Sequence, residues 1–225
     1  MKITYYGHSC LGITCNGYHL LIDPFITPNP KASAIDIDNI KADYILITHA
    51  HYDHVMDVEL FAEKTRASLI ANFEIVTYYA QKNLSGHALG FGGSWQFPFG
   101  RVKMVNAIHS SSFPDGANGG NPAGFVIESG EKTIYIAGDT ALTMDMKLLP
   151  LFHSLDLAVL PVGGNFTMDI DEALIASDFI DCDRVLGVHY DTAEAITIDH
   201  TESKQRFEDK GKTLTLLPIG DSMTI

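Results

Sequence analysis

Residues 48–54 read Thr-His-Ala-His-Tyr-Asp-His, so three imidazoles and one carboxylate fall within six positions. They follow directly on the apolar run Tyr44-Ile45-Leu46-Ile47, whose short β-branched and aromatic make-up is that of a buried strand. The cluster therefore sits at the carboxyl end of a strand, where open α/β sheets place their ligand crevices. Side chains of an extended chain alternate in direction, so His49 and His51 point the same way and can grip one cation. Asp53 and His54 continue in a turn that can curl back and offer a second set of N and O donors. Neutral imidazole and carboxylate suit zinc and other borderline transition metals better than calcium or magnesium. Ten histidines in 225 residues make isolated ones common. Four donors in six positions are not.

Four further apolar runs end in a polar ligand type. They are Leu20-Leu21-Ile22-Asp23-Pro24, Val105-Asn106-Ala107-Ile108-His109, Ile136-Ala137-Gly138-Asp139-Thr140 and Val185-Leu186-Gly187-Val188-His189. Each alone is weak. Together with His-x-His-x-Asp-His, in this order and over nearly the whole chain, they resemble the five motifs of the metallo-β-lactamase superfamily. The resemblance implies an α/β fold, a four-layer αββα sandwich with a metal crevice along one edge. It implies His49, His51 and His109 on one metal, Asp53, His54 and His189 on a second, and Asp139 bridging the two. Two divalent ions per chain are expected, zinc first, although Mn2+, Fe2+ or Ni2+ suit the same donors. A hydroxide bridging such a pair is available near neutral pH and attacks a carbonyl or phosphorus centre.

The motifs also suggest supporting roles. Asp23, at a strand end before Pro24, fits a carboxylate that accepts the free N–H of a metal-bound histidine. Its plain alternative is a turn acid. Thr140 can hold Asp139 by hydrogen bonding. Asp53, His8 and Tyr190 are the candidates for catalysis. His8 either contacts substrate or donates a proton, or is an ordinary turn histidine. Its Gly7-His8-Ser9 setting is similar to the compact metal-dependent hydrolase branch that includes ascorbate-6-phosphate lactonase. Tyr190, next to His189, can bind substrate or donate a proton.

Composition bounds the alternatives. With 225 residues and 46% hydrophobic content, residues 1–225 can bury a full core as one domain. No run approaches the ~18 apolar residues of a membrane span, and the N-terminus enters a strand pattern directly, without the layout of a signal peptide. Cys10, Cys15 and Cys182 are odd in number and lack metal-type spacing. They read as small buried residues of a cytoplasmic protein. A formal charge of −13, with no basic cluster, disfavours nucleic acid as a partner. A small-molecule substrate is expected, and nothing in the pattern speaks to oligomeric state.

In chain order, residues 2–6, 10–15 and 18–23 read as antiparallel strands, with Asn16-Gly17 a hairpin turn. A helical turn is expected over 36–40, a helix over 55–64 with Val55, Leu60 and Phe61 on its apolar side, and a strand over 67–71. Asn72 is placed to cap a helix to about Lys82, before irregular strands over 86–100 and a strand over 101–108. Residues 110–122, rich in glycine and proline beside a ligand, suggest a mobile access loop, with Phe113 as its apolar contact. A hairpin is expected over 123–137, a helix over 143–153 and a strand over 156–160. Asp169 and Glu172 suggest a capping box opening a helix to Ile180. A strand over 184–188, a helix over 199–210 and a strand over 213–217 complete the reading. His87, His153 and His200 lack ligand partners and read as structural, the latter two at the surface or in caps. Leu160-Pro161-Val162-Gly163 and Leu217-Pro218-Ile219-Gly220 echo each other too faintly to carry weight.

Departures from family patterns narrow the activity. Asp139 stands where common β-lactamases carry cysteine, and His54 is retained. His51 stands where the flavin-linked di-iron branch carries glutamate. The sequence suggests neither the helical C-terminal extension usual in glyoxalase-type thioesterases nor an insertion for the protruding substrate arm of tRNA-maturing phosphodiesterases. What remains is a compact hydrolase of a small-molecule ester, lactone or phosphodiester. A non-catalytic metal-binding protein, acting as sensor or assembly partner, is the alternative from another class.

Overall fold

The computed structural model describes residues 1–225. Its first sheet is built from β1 (Lys2–Gly7), β2 (Cys10–Cys15), β3 (Tyr18–Ile22), β4 (Tyr44–Leu46), β5 (Ser68–Ala71) and β6 (Gly86–Ala88). The second uses β7 (Ser94–Phe97), β8 (Gly100–Asn106), β9 (Ala123–Ser129), β10 (Lys132–Ile136), β11 (Leu157–Pro161), β12 (Arg184–Val188) and β13 (Thr213–Thr215). A last strand, β14 (Ser222–Thr224), returns to pair antiparallel with β1. The sheet orders are β14-β1-β2-β3-β4-β5-β6 and β13-β12-β11-β10-β9-β8-β7.

Both halves follow one plan. β1, β2 and β3 pair antiparallel and β4, β5 and β6 run on in parallel. In the second sheet β8, β9 and β10 pair antiparallel and β11, β12 and β13 continue in parallel. The two Leu-Pro-x-Gly segments lie at the end of β11 and after β13. Both belong to the second half, so they do not mark the repeat.

Alternation along the strands separates two cores. Ile3, Leu11, Leu20 and Ile22 face the second sheet, in a cluster that also takes Phe125, Ile127, Leu160 and Val185. Leu21, Ile45 and Leu69 face the other way, onto α2 (Val58–Thr65) and α3 (Phe73–Ala80) through Phe61, Ile75 and Tyr79. β11 is buried along its whole length, as a parallel strand covered on both faces must be. Outside this sheet, α4 (Ile170–Phe179) packs on β11, with Ala173 and Ala176 buried, and α5 (His200–Glu208) packs on β13, with Phe207 buried. The result is the four-layer αββα sandwich. No helix is long and apolar enough to cross a membrane.

Local signals hold in part. Asn72 caps α3 through Ile75 N, and Asp169 with Glu172 closes a complete capping box. The helix expected over 55–64 is split. A single turn, Tyr52–Val55, carries Asp53 and His54, and α2 then starts at Val58, with Leu60 exposed rather than buried. The helix expected over 143–153 is a 3-10 segment, Met144–Leu151, containing Pro150. Proline has no N–H for an α-helical bond and crowds the preceding turn. β14 went unseen because three residues, Ser-Met-Thr, carry no readable alternation. The three cysteines are free and buried.

Candidate metal centre

The strands deliver their ligands to one rim. His8 follows β1, Asp23 follows β3 and His189 follows β12, while His49, His109 and Asp139 come three residues after β4, β8 and β10. At three of these ends the backbone is left-handed: φ is 56° at His8, 44° at Asp23 and 57° at His189. Such a residue turns the chain sharply and throws its side chain over the sheet edge. It costs about 1–3 kcal/mol and persists where the surroundings demand it. Gly138, at φ 64°, precedes Asp139, and a Cβ there would come within 2.8 Å of both Ala123 O and Thr48 Cβ. The rim is stitched across the sheets, since His189 N donates to His8 O at 2.8 Å and Ala123 N to Thr48 O at 2.9 Å.

Asp139 Oδ2 is the centre of the arrangement. It lies 3.0 Å from His189 Nε2, 3.4 Å from His54 Nε2, 3.7 Å from His109 Nε2 and 3.9 Å from His49 Nε2. One oxygen thus faces nitrogens of both expected sets. The donor atoms of His49, His51 and His109 lie within 4.8 Å of one another, and so do those of His8, Asp53, His54 and His189. All seven side chains expected as ligands converge, and His8 joins them.

The rings are oriented by partners of which the sequence reading named one. Asp23 Oδ2 accepts from His54 Nδ1 at 2.9 Å and from the Thr48 hydroxyl at 2.7 Å, while Asp23 Oδ1 accepts from Thr48 N at 2.8 Å. Because the Thr48 hydroxyl donates to Asp23, its oxygen accepts from His49 Nδ1, 3.1 Å away. His51 Nε2 meets Ser110 Oγ at 3.1 Å, which turns His51 Nδ1 to within 3.1 Å of His49 Nε2. Thr48 and Ser110 were legible as hydroxyls beside ligands, but their direction was not. Thr140 does not hold Asp139. Its hydroxyl accepts from Ile108 N at 2.9 Å and donates to Ala141 O at 2.8 Å, so it fixes the strand end that carries His109.

These contacts leave lone pairs facing inward, and the donor set fits divalent cations. His54 Nε2 and Asp139 Oδ1 are buried without a hydrogen-bond partner, a condition costing about 1–3 kcal/mol per group unless something else binds there. Burial, with help from neighbouring histidines, holds His49, His51 and His109 below the ordinary imidazole pKa, hence neutral as ligands must be. Burial opposes charge on His54 and His189 too, but Asp139 outweighs it. His54 is held well above its usual value and His189 is raised to about 9. Asp139 and Asp53 stay ionised despite burial, Asp139 through His54 and His189, and Asp53 through the histidines around it, His189 first. Asp139 thus favours positive charge beside it, which a divalent cation would supply in place of protons on His54 and His189.

Around the centre several expectations change. Tyr190 turns away from it: its hydroxyl reaches Leu217 O at 3.4 Å and its ring stacks on Tyr5 at 6.1 Å. It lines a cavity of about 230 Å3 behind His8, with Thr192 and His200. Burial pushes its pKa up to about 12. Both facts speak against a proton donor. Phe113 is an anchor, buried and stacked on Tyr78 at 3.6 Å. Asn72 Nδ2 donates to Gly119 O and Asn121 O, so the loop over 110–122 is pinned rather than free. The apolar rim comes instead from Tyr52, half-exposed between His51 and Asp53, and is backed by buried Phe25, which sits 5.6 Å from Tyr52 and 5.5 Å from His8. His87 packs at a tilt against Trp95, exposed His200 pairs with Asp191, and half-buried His153 pairs with Glu128.

A family model described as "Beta-lactamase superfamily domain" matches residues 2–189, from β1 to the last expected ligand. The chain belongs to the metallo-β-lactamase superfamily. A protein of Flavobacterium johnsoniae named "UPF0173 metal-dependent hydrolase" is 62% identical over 225 residues, all of both chains. One of the same name from Christiangramia forsetii is 57% identical over 226 residues, again all of both. Among solved structures, Igni18, described as a metallo hydrolase from the archaeon Ignicoccus hospitalis, superposes with a TM-score of 0.90 at 33% identity. That match covers 99% of this chain and 97% of Igni18.

Proposed function

We propose that this superfamily member is a metal-dependent hydrolase acting on a small-molecule ester, lactone or phosphodiester with two divalent cations, zinc first among them. The observation that carries the reading is the position of Asp139 Oδ2, between nitrogens of two separate ligand sets. The names of the close relatives point the same way. When bound, such a cation pair acidifies a water to a nucleophile near neutral pH and polarises the oxygen of the group attacked.

The chain's own residues do the rest. His49, His51 and His109 hold the first cation, Asp53, His54 and His189 the second, and Asp139 ties the two sets together. Asp23, Thr48 and Ser110 fix the ring orientations. Tyr52, backed by buried Phe25, offers an aromatic wall for the organic part of a substrate. The charge of −13 repels polyanions, which favours a small or weakly charged substrate over nucleic acid.

The test is hydrolysis of a chromogenic phosphodiester, a small lactone and a thioester by metal-loaded protein, with Asp139→Ala as control. Turnover lost in the variant, with its fold intact, supports the reading and names the bond. Silence of the metal-replete protein across an extended ester, lactone, thioester and phosphodiester panel sinks it.

A further inference from the structure

His8 meets different partners with its two ring nitrogens. Nδ1 lies 2.9 Å from Thr192 Oγ1, and Nε2 lies 2.7 Å from Asp53 Oδ2. The Thr192 hydroxyl directs its proton to the Tyr190 carbonyl, 3.4 Å away. Its oxygen then accepts the Nδ1–H of His8, which leaves a lone pair on Nε2. A carboxylate at Asp53 likewise has only lone pairs to offer. Two acceptors at 2.7 Å repel unless a positive charge lies between or beside them. The same pattern occurs at His49 Nε2 and His51 Nδ1, 3.1 Å apart, each ring using its other nitrogen on a hydroxyl. There it marks a pair of ligands.

We propose that His8 is itself a ligand of the second cation, through Nε2, making that set His8, Asp53, His54 and His189, with Asp139 shared. This rests on the metal-dependent reading above and adds a ligand to it. The four donor atoms lie within 4.8 Å of one another. Ligands on opposite sides of one ion, at bond lengths of about 2.0–2.2 Å, would be separated by nearly that distance. Thr192 takes the part that Asp23 takes for His54, accepting the remote N–H so that the other nitrogen faces the ion. The His8 side chain is 4% exposed and its ring lies 4.2 Å from that of His189, between Phe25 and the centre. The two sites then differ in character. The first has His51 and His109 partly open to solvent, while all three histidines of the second are buried.

The other tautomer, with Nε2–H donating to Asp53, would make His8 a positioning residue and no ligand. Metal content separates the two. Wild-type, His8→Ala, His8→Gln and Thr192→Val proteins are stripped with a chelator and titrated with Co2+. Bound metal is read by elemental analysis, stepwise affinity by chelator competition, and coordination by visible absorption. Wild type takes up two ions. His8→Ala and His8→Gln keep the first at wild-type affinity, lose at least ~100-fold in the second, and show altered absorption bands for the second ion. Thr192→Val loses about 10-fold. Either His8 variant binding both ions with wild-type affinity and spectrum overturns the proposal.

Wild-type protein provides a check that needs no variant to fold. In its di-cobalt form the Nδ1–H of a ligated His8, shielded by Thr192, gives a paramagnetically shifted imidazole resonance with a cross-relaxation contact to Thr192. Its absence overturns the proposal as well. Two ions with His8 ligated, but no hydrolysis of any panel substrate, would remove the hydrolase reading and leave this one standing. Failure of wild type to bind a second ion removes both.

Discussion

Asp23 accepts the Nδ1–H of His54 at 2.9 Å, and the same oxygen takes the hydroxyl proton of Thr48 at 2.7 Å. Thr48 in turn accepts from His49. One carboxylate, 1% exposed, therefore orients a histidine of each ligand set. Asp23→Ala strips the acceptor from three donors: Thr48 N, Thr48 Oγ1 and His54 Nδ1. Loss of such partners costs about 1–3 kcal/mol each when nothing replaces them, and loss of an orienting partner weakens metal binding about 10–100-fold. The expected outcome is a lower melting temperature for the metal-free protein and weaker binding of both cations. A variant that loses affinity for neither would show that the bond to Asp23 does not orient the ligands.

Protons and metal compete at the second set. His189 is raised to about 9 because Asp139 outweighs the burial that opposes its charge. Below that pH the metal-free protein keeps a proton on His189 that a cation must displace. Apparent metal affinity therefore rises with pH up to about 9 as this proton is lost. Stability of the metal-free fold runs the opposite way. The folded pKa lies above the unfolded value of about 6.5, so the contribution from His189 is complete below about 6.5 and fades as pH rises through about 9. Calorimetric titrations in buffers of different protonation enthalpy count the released protons, and melts of metal-free protein read the stability. Affinity that falls as pH rises from 7 to 9 contradicts this account.

Much of the centre was legible because each ligand ends an apolar run, and hydrophobic runs are what a sequence displays best. Tyr44 to Ile47 mark β4, and the donors after it lie within 4.8 Å of donors from other strand ends. The failures are of direction. His189 has a left-handed backbone, so simple alternation does not tell where Tyr190 points, and it packs against Tyr5. His8 meets Asp53 across 45 positions and Thr192 across 184, distances that no local pattern encodes. In a glycine- and proline-rich segment just after a ligand type, Phe113 reads from sequence as the apolar contact of a mobile access loop. Its actual partners, Tyr78 and Tyr79, lie on a helix whose packing partner had to be seen in three dimensions.

That difference separates two aromatic variants. Phe113 is 3% exposed within the core under α3, so Phe113→Ala should cost about 3–5 kcal/mol of stability. Its metal content should stay unchanged. Tyr52 is 49% exposed beside Asp53, so Tyr52→Ala should leave the melting temperature nearly unaltered. If the aromatic wall binds the organic part of the substrate, it raises KM for aromatic substrates more than for small aliphatic ones. Denaturant titration and paired steady-state kinetics give both readings. A destabilised Tyr52→Ala, or a Phe113→Ala that loses its ions while still folded, would reverse the assignment.

Thr48 and Ser110 each touch one histidine of the first set, but from different environments. Thr48 is fully buried, with its hydroxyl between Asp23 and His49, where no water can replace it. Thr48→Val keeps the shape and removes both bonds, leaving Asp23 short of one donor and His49 Nδ1–H without an acceptor. Ser110 is exposed, so in Ser110→Ala a water can take over the bond to His51 Nε2 at little cost. Affinity for the first cation should therefore fall about 10–100-fold in Thr48→Val and hardly change in Ser110→Ala. Chelator competition on the two variants side by side measures this. Equal losses would mean that the hydroxyl contact itself, and not its burial, sets how firmly a ligand ring is held.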